Sequence, residues 1–251
     1  MKRKEPVVKA RNVVKELGQG AGMVRALKGV SLELEPGELT ILMGPSGSGK
    51  TTLLSVLGCI LTPTSGSVAI AGEETMGLGP EELAGVRRRH IGFIFQSYNL
   101  FPTLTAIENV RLALDVRGMK YAETVMRAET ALREVGLGHR LKSFPATMSG
   151  GEQQRVAVAR ALASAPSVIL ADEPTAALDS ENGHAVMALL AEIAKDESRA
   201  VLAVTHDPRT HGYADRILKI EDGHITGDER PIRTGENVTR YDLNKRRKLH
   251  A

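Results

Sequence analysis

Nine consecutive residues, Gly44-Pro45-Ser46-Gly47-Ser48-Gly49-Lys50-Thr51-Thr52, combine the residue types that hold a polyphosphate. Glycines let the backbone curl so that successive N–H groups face an anion, and a helix beginning near Lys50 adds its positive end. Lys50 then brings a charge to the terminal phosphates, and the Thr51 hydroxyl offers an oxygen ligand to Mg²⁺. A second chemical cluster closes the apolar run Val168-Ile169-Leu170-Ala171, where the carboxylates of Asp172 and Glu173 stand side by side. Next to a phosphate site, Asp172 can hold the metal through a bound water. Glu173 is then placed to orient or deprotonate an attacking water.

The elements around these residues are those that such chemistry needs. Leu39–Met43 reads as a strand buried on both faces, ends in the glycine-rich stretch, and is followed by a helical pattern over Lys50–Ile60. Alternation predicts half-exposed strands at Val7–Val14 and Val30–Leu34, with a Pro-Gly turn at 36–37. Further strands are expected at Gly66–Ala71 and Ile91–Phe95, with a helix between them around Pro80–Arg89. From Thr105 to Ala163 the spacing turns helical. Short buried strands return at Val168–Ala171, Ala200–Val204 and Arg216–Ile220, with a helix at Glu181–Lys195. Strands first, then β/α alternation interrupted by a helical insert, predict an α/β core carrying an antiparallel β lobe and a helical lobe.

Met148-Ser149-Gly150-Gly151-Glu152-Gln153-Gln154-Arg155 opens an apolar-striped helix shortly before Asp172-Glu173-Pro174-Thr175. Taken with the phosphate loop, Gln96 and His206, in this order and spacing, the chain resembles the ATP-binding cassette (ABC) ATPases over about residues 6–226. The resemblance implies a P-loop NTPase of ABC type: a RecA-like α/β core, an antiparallel β lobe and a helical signature lobe at about 97–163. The domain would span 6–228 and leave a flexible basic tail at 229–251. It implies ATP and Mg²⁺ as the groups bound. Ser149, Gly150, Gly151 and Glu152 resemble the signature loop, which in the family meets the γ-phosphate held by a second copy in a head-to-tail dimer. Gln96 resembles the Q-loop glutamine, near metal and attacking water; His206 resembles the switch histidine; Ala177-Leu178-Asp179 resembles the D-loop at the dimer interface.

The loop Phe95–Pro102 gathers Phe95, Tyr98 and Phe101, in a region where the family docks a helix of its membrane subunit. Phe95–Val110 is most similar to the subgroup serving lipoprotein release, macrolide efflux and adaptor-linked glycolipid export. The implied partners are an integral membrane permease, a second copy of the chain and, through the permease, a periplasmic adaptor. The implied place is the cytoplasmic face of the inner membrane, and the implied role is to drive an exporter. An alternative within the resemblance is an ATPase that regulates a membrane partner by mechanotransmission without moving cargo. The soluble ABC proteins of DNA repair or translation carry coiled-coil insertions or two cassettes in one chain, and neither is present here.

Two departures stand out. Many members stack adenine on an aromatic upstream of the phosphate loop; the nearest equivalent is Leu17, and Asn12–Val24 contains no aromatic. Glu152 stands where glutamine is commoner.

Charge and composition exclude other classes. The 251 residues are 42% hydrophobic and 25% charged, with net charge +3 and a pI near 9.0. Residues 1–11 contribute +4 and 230–251 contribute +5, leaving the body at −6, so the basicity argues for no nucleic-acid partner. The single cysteine, Cys59, excludes an internal disulfide and is expected on the buried face of the helix after the phosphate loop. The basic start lacks an apolar stretch of the secretory kind. The uncharged stretch Thr51–Gly72 is broken at Thr62–Ser67 and is too interrupted to span a bilayer. Arg87-Arg88-Arg89 reads as a solvated helix end, and the remaining histidines share no metal-ligand spacing.

Overall fold

The computed structural model describes residues 5–231. The chain begins with a hairpin, β1 (Val8–Leu17) and β2 (Val24–Leu34), and enters the core through β3 (Leu39–Met43) and α1 (Lys50–Leu57). Strands β4 (Ser65–Ile70) and β5 (Glu73–Glu74) return to the hairpin, and α2 (Pro80–His90) leads into β6 (Ile91–Ile94). The helical stretch holds α3 (Ala106–Asp115), α4 (Tyr121–Glu134) and α5 (Gly150–Leu162). The rest alternates: β7 (Val168–Asp172), α6 (Ser180–Ala194), β8 (Ala200–Thr205), β9 (Arg216–Glu221) and β10 (His224–Glu229).

Two sheets result. The smaller is antiparallel in the order β2-β1-β4-β5; the larger runs β10-β9-β3-β8-β7-β6, and all its neighbours are parallel except β10 on β9. The large sheet is buried on both faces, and its period-2 alternation divides the core in two. Val168 and Leu170 of β7 join a cluster with α1, α2 and the antiparallel lobe, whereas Ile169 and Ala171 join α3, α4, α5 and α6 on the other face. Backbone and side-chain bonds tie the sheets together: Lys28 N–H donates to the Gly223 carbonyl at 2.9 Å, and Arg216 to that of Glu33 at 2.7 Å.

The expected architecture is present, and the departures are local. Both hairpin strands run beyond their predicted ends. There the arms are held by pairing such as Glu16 with Arg25, whose side chains form an ion pair at 2.8 Å, rather than by apolar alternation. Strand β10 has no counterpart in the sequence reading. It is a polar edge strand, and its last residue, Glu229, pairs with Ile217 where a tail was expected to begin. Arg230 follows with an ion pair to buried Glu38 at 3.0 Å, so ordered structure extends past the predicted boundary. Cys59 is buried, but it lies beyond the end of α1 in a left-handed conformation (φ 55°). Arg87 is half-buried and donates to the Cys59 carbonyl at 2.6 Å, which departs from the solvated reading, whereas Arg88 and Arg89 are exposed, Arg89 pairing with Glu73 at the surface. The basic residues 2–4 and 232–251 lie outside the described residues. Among the described residues no helix is long and apolar enough to cross a membrane.

Candidate nucleotide site

The parallel strands of the large sheet deliver the candidate residues to one edge. Met43 of β3 registers with Thr205 of β8, Val204 with Asp172 of β7, and Ala171 with Ile94 of β6. The residues that follow are therefore neighbours in a row: the loop from Gly44, then His206, then Glu173, then Gln96. In open α/β sheets this carboxyl edge is where ligands bind.

The glycine-rich loop is built around a seat for an anion. Gly49 precedes α1 with φ 101°, and a Cβ there would fall 2.6 Å from the Ala26 carbonyl oxygen of β2. No side chain caps α1, so its first N–H groups are left to an outside acceptor. Lys50 is only 8% exposed and turns its ammonium back on the loop, donating to the carbonyls of Gly44 and Pro45 at 2.7 Å each. Ser48 is buried and its hydroxyl has no hydrogen-bond partner.

Asp172 is held at the end of β7 with Oδ1 buried and without a partner. Burial raises its pKa above the usual aspartate value and the neighbouring Glu173 charge adds to this, against the Thr51 hydrogen bond and the Lys50 charge. A carboxylate kept dry, repelled on one side and open at one oxygen suits a cation. The oxygen donors of Asp172, Thr51 and Gln96 are of the hard type that Mg²⁺ takes. Glu173 adopts a left-handed backbone (φ 45°), unusual for a residue with a Cβ, and its N–H donates to the Val204 carbonyl at 2.9 Å. This turns its side chain toward β8, where Oε1 lies 2.8 Å from Nδ1 of His206. Glu173 is largely shielded and His206 is 68% exposed, so the pair reaches from the sheet edge into the open. Gln96 is exposed in the loop leaving β6.

The signature residues sit elsewhere. Ser149 caps α5: its hydroxyl accepts from Glu152 N–H at 3.2 Å, while a Glu152 carboxylate oxygen accepts from Ser149 N–H at 2.9 Å. Burial alone would raise the Glu152 pKa, but the Ser149 N–H and the Arg140 guanidinium, 3.1 Å away, outweigh it and hold it below the usual carboxylate value. That ion pair is a physical reason for glutamate here, because glutamine could not form it. Gly150 and Gly151 approach Tyr98 and Asn182 so closely that a Cβ would fall 2.9 and 2.3 Å from their side-chain oxygens. Helix α5 packs on the face of the large sheet opposite α1. The structure thus gathers Gly44–Thr52, Asp172, Glu173, His206 and Gln96 along one edge and leaves Ser149–Glu152 apart from them within the chain. Asp179 caps α6 and spends its carboxylate on the Asn182 N–H and amide.

Leu17 ends β1 directly across from Val24, and both are exposed together with Met23 (38%, 63% and 53%). The sequence reading found Leu17 and missed the other two; the signal available was two apolar residues beyond the Gly18–Gly22 turn. It gave no role to Gln154 of the signature stretch, which is fully buried and donates to the Pro174 carbonyl at 2.8 Å, joining α5 to the segment after Glu173.

A family model described as "ABC transporter" matches residues 27–176. The macrolide export ATP-binding/permease protein MacB of Marinobacter nauticus is 41% identical over 242 residues, which cover 96% of this chain and 37% of that protein. MacB of Escherichia coli K12 is 43% identical over 220 residues, 88% of this chain and 34% of that protein. The chain thus spans little more than a third of the length of these curated relatives. Among solved structures, the dimeric post-hydrolysis state of the ATP-binding cassette MJ0796 bound to ADP and Pi superposes with a TM-score of 0.80 at 43% identity, covering 89% of this chain and 98% of that one. CbiO1 from Clostridium perfringens, part of the ABC transporter complex cbiONQ, gives 0.81 at 26% identity, covering 91% and 90%.

Proposed function

The chain belongs to the ABC transporter ATPase family, and from that premise we propose that it hydrolyses ATP to drive a membrane permease, in an exporter. The observation that carries this reading is the row of Lys50, Asp172, Glu173 and His206 at the carboxyl edge of a parallel sheet, beside an uncapped helix start.

In the proposed mechanism the loop N–H groups and the start of α1 bind the phosphates, and the Lys50 ammonium leaves its two carbonyls for the terminal ones. Bound Mg²⁺, held by Thr51, Asp172 and Gln96, would offset phosphate charge. Glu173 accepts a proton from the water that attacks the γ-phosphorus as the bond to ADP breaks, giving ADP and phosphate. His206 holds the Glu173 carboxylate in place and reaches toward the transferred group. Leu17, with Met23 and Val24, offers the adenine an aliphatic surface.

Ser149–Glu152 lie on the far side of the sheet from α1, which supports a site completed by the signature turn of a second copy, head to tail. Asp179 is assigned to the interface between those copies. The relatives named as ATP-binding/permease proteins support an integral permease as partner, with an adaptor reached through it. The work would then be done at the cytoplasmic face of the inner membrane, the chain being held there peripherally.

Glu173→Gln tests the core of this. The variant should bind ATP, accumulate as a dimer on size exclusion, and hydrolyse at least about 100-fold more slowly. Unchanged turnover would sink the assignment of Glu173.

A further inference from the structure

Gln96 is presented by a turn whose strain is paid for outside the loop. The turn is closed by the Tyr98 N–H donating to the Phe95 carbonyl at 3.2 Å, with Gln96 as its second residue, and the Asn99 N–H folds back onto the Ser97 carbonyl at 2.6 Å. To make this fold, Tyr98 and Asn99 both take left-handed backbones, φ 59° and 49°. Neither is glycine, and two such residues in succession do not persist unaided. The support comes from α5. Arg160 forks its guanidinium onto both carbonyls, that of Tyr98 at 2.7 Å and that of Asn99 at 2.5 Å. The Tyr98 hydroxyl sits so close to Gly150 at the signature turn that a Cβ there would fall 2.9 Å from it, and it donates to the Ala177 carbonyl at 3.3 Å.

We propose that Arg160 and Tyr98 form a positioning clamp: Arg160 holds the left-handed pair that aims Gln96, and the Tyr98 hydroxyl ties that aim to the signature turn and the segment after Glu173. This rests on the proposed ATPase reading and adds two residues to it. Neither side chain touches the phosphates; both act through Gln96. A shift of α5 is passed to the Gln96 turn through the two carbonyl oxygens that Arg160 holds, while the Tyr98 hydroxyl couples the same turn to Ala177, so the signature helix and the water-positioning glutamine move together. Lysine cannot replace the fork, because one ammonium does not reproduce two parallel N–H donors.

The test uses the full chain, with kcat and KM from phosphate release and ATP affinity from a fluorescent analogue, all well below each variant's melting temperature. Arg160→Ala should keep ATP affinity within about twofold and lose about tenfold or more in kcat, the pattern of a misplaced group rather than a lost binding contact. Arg160→Lys should fall between. The decisive variant adds Asn99→Gly to Arg160→Ala. Glycine takes a positive φ at little cost, so the turn should reform without its clamp and kcat should recover to within about threefold of wild type. Tyr98→Phe should lower kcat by about threefold and weaken ATP-dependent dimerisation.

The clamp is overturned if Arg160→Ala keeps wild-type kcat. It is equally overturned if that variant loses affinity, melting temperature and kcat together and Asn99→Gly restores none of the kcat. A wild-type chain that binds ATP without hydrolysing it would remove the ATPase reading and the clamp with it, whereas wild-type turnover beside an unaffected Arg160→Ala removes the clamp alone.

Discussion

Asn109 in the helical lobe and the open groups of the sheet edge are buried polar groups treated in opposite ways. In the helical lobe, Asn109 is wholly buried, and its amide donates to the carbonyls of Phe101, Leu104 and Thr105 while its Oδ1 accepts from the Phe101 N–H at 2.8 Å. Nothing on that side chain is left for an outside group, so its role is to shape the 101–105 loop. At the sheet edge, Ser48 Oγ and Asp172 Oδ1 are equally dry and have no partner, and α1 begins without a cap. A buried polar group left open costs stability. A fold that keeps several of them together, beside others that it satisfies fully, has reserved them for a ligand. Full satisfaction marks Asn109 as structural, and it is the clustering of open groups beside an uncapped helix start that marks the site, since Gln154 Oε1 and Arg199 Nε are also buried and open but stand singly.

The comparison breaks most readily at Asn109. Asn109→Ala should cost about 2 kcal/mol, since it strips the side chain's shared bonds and takes from the Phe101 N–H and the Leu104 carbonyl their Asn109 partner, while the Phe101 and Thr105 carbonyls keep backbone donors. Chemical denaturation would measure this, and the folded fraction should bind ATP as wild type does. A cost near zero would mean that the 101–105 loop is held by something else, and that satisfied polar groups here say nothing about structure.

Much of this division was legible in the sequence, and the reason lies in where each signal resides. The phosphate loop, Asp172-Glu173 and Ser149–Glu152 are contiguous, so residue type and spacing carry them. The row they form with Gln96 and His206 also follows once the strands are taken as parallel and buried. Contacts between distant segments and unusual backbones left no local trace. Arg160 on Tyr98 and Asn99, Gln154 on Pro174 and Arg230 on Glu38 join residues far apart in the chain. The left-handed Glu173 and Cys59 carry side chains that do not announce a positive φ. Strand β10 was missed for another reason: it pairs on one side only, so its polar residues need no apolar alternation.

Asp172→Asn sharpens the contrast because stability and function should move in opposite directions. In the nucleotide-free chain the substitution removes a buried charge beside Glu173 and should stabilise by about 1 kcal/mol, while weakening Mg²⁺-dependent ATP binding. The pH dependence follows from the raised pKa of Asp172. A carboxyl whose folded pKa exceeds its unfolded one contributes stability that is complete below the unfolded value and lost as pH rises through the folded one. The melting-temperature gain of the asparagine variant should therefore be larger at neutral pH than in acid. A variant less stable than wild type at neutral pH would show that Asp172 is already well partnered without a ligand.

The smallest effect is expected at Ser48, and it is the most direct probe of an open group. Ser48→Ala removes a buried hydroxyl that bonds to nothing, so no partner is orphaned and the methyl side chain fits the same space. The nucleotide-free chain should be unchanged or stabilised by up to about 0.5 kcal/mol, against the loss that follows when a bonded hydroxyl is deleted. Calorimetry with and without ATP separates the two states: the gain in melting temperature on adding ATP should be smaller in the variant, because the hydroxyl does its bonding only when the loop is filled. If instead the empty chain lost more than about 1 kcal/mol, Ser48 would be a satisfied structural residue like Asn109, and the line between reserved and committed polar groups would have to be drawn closer to Asp172.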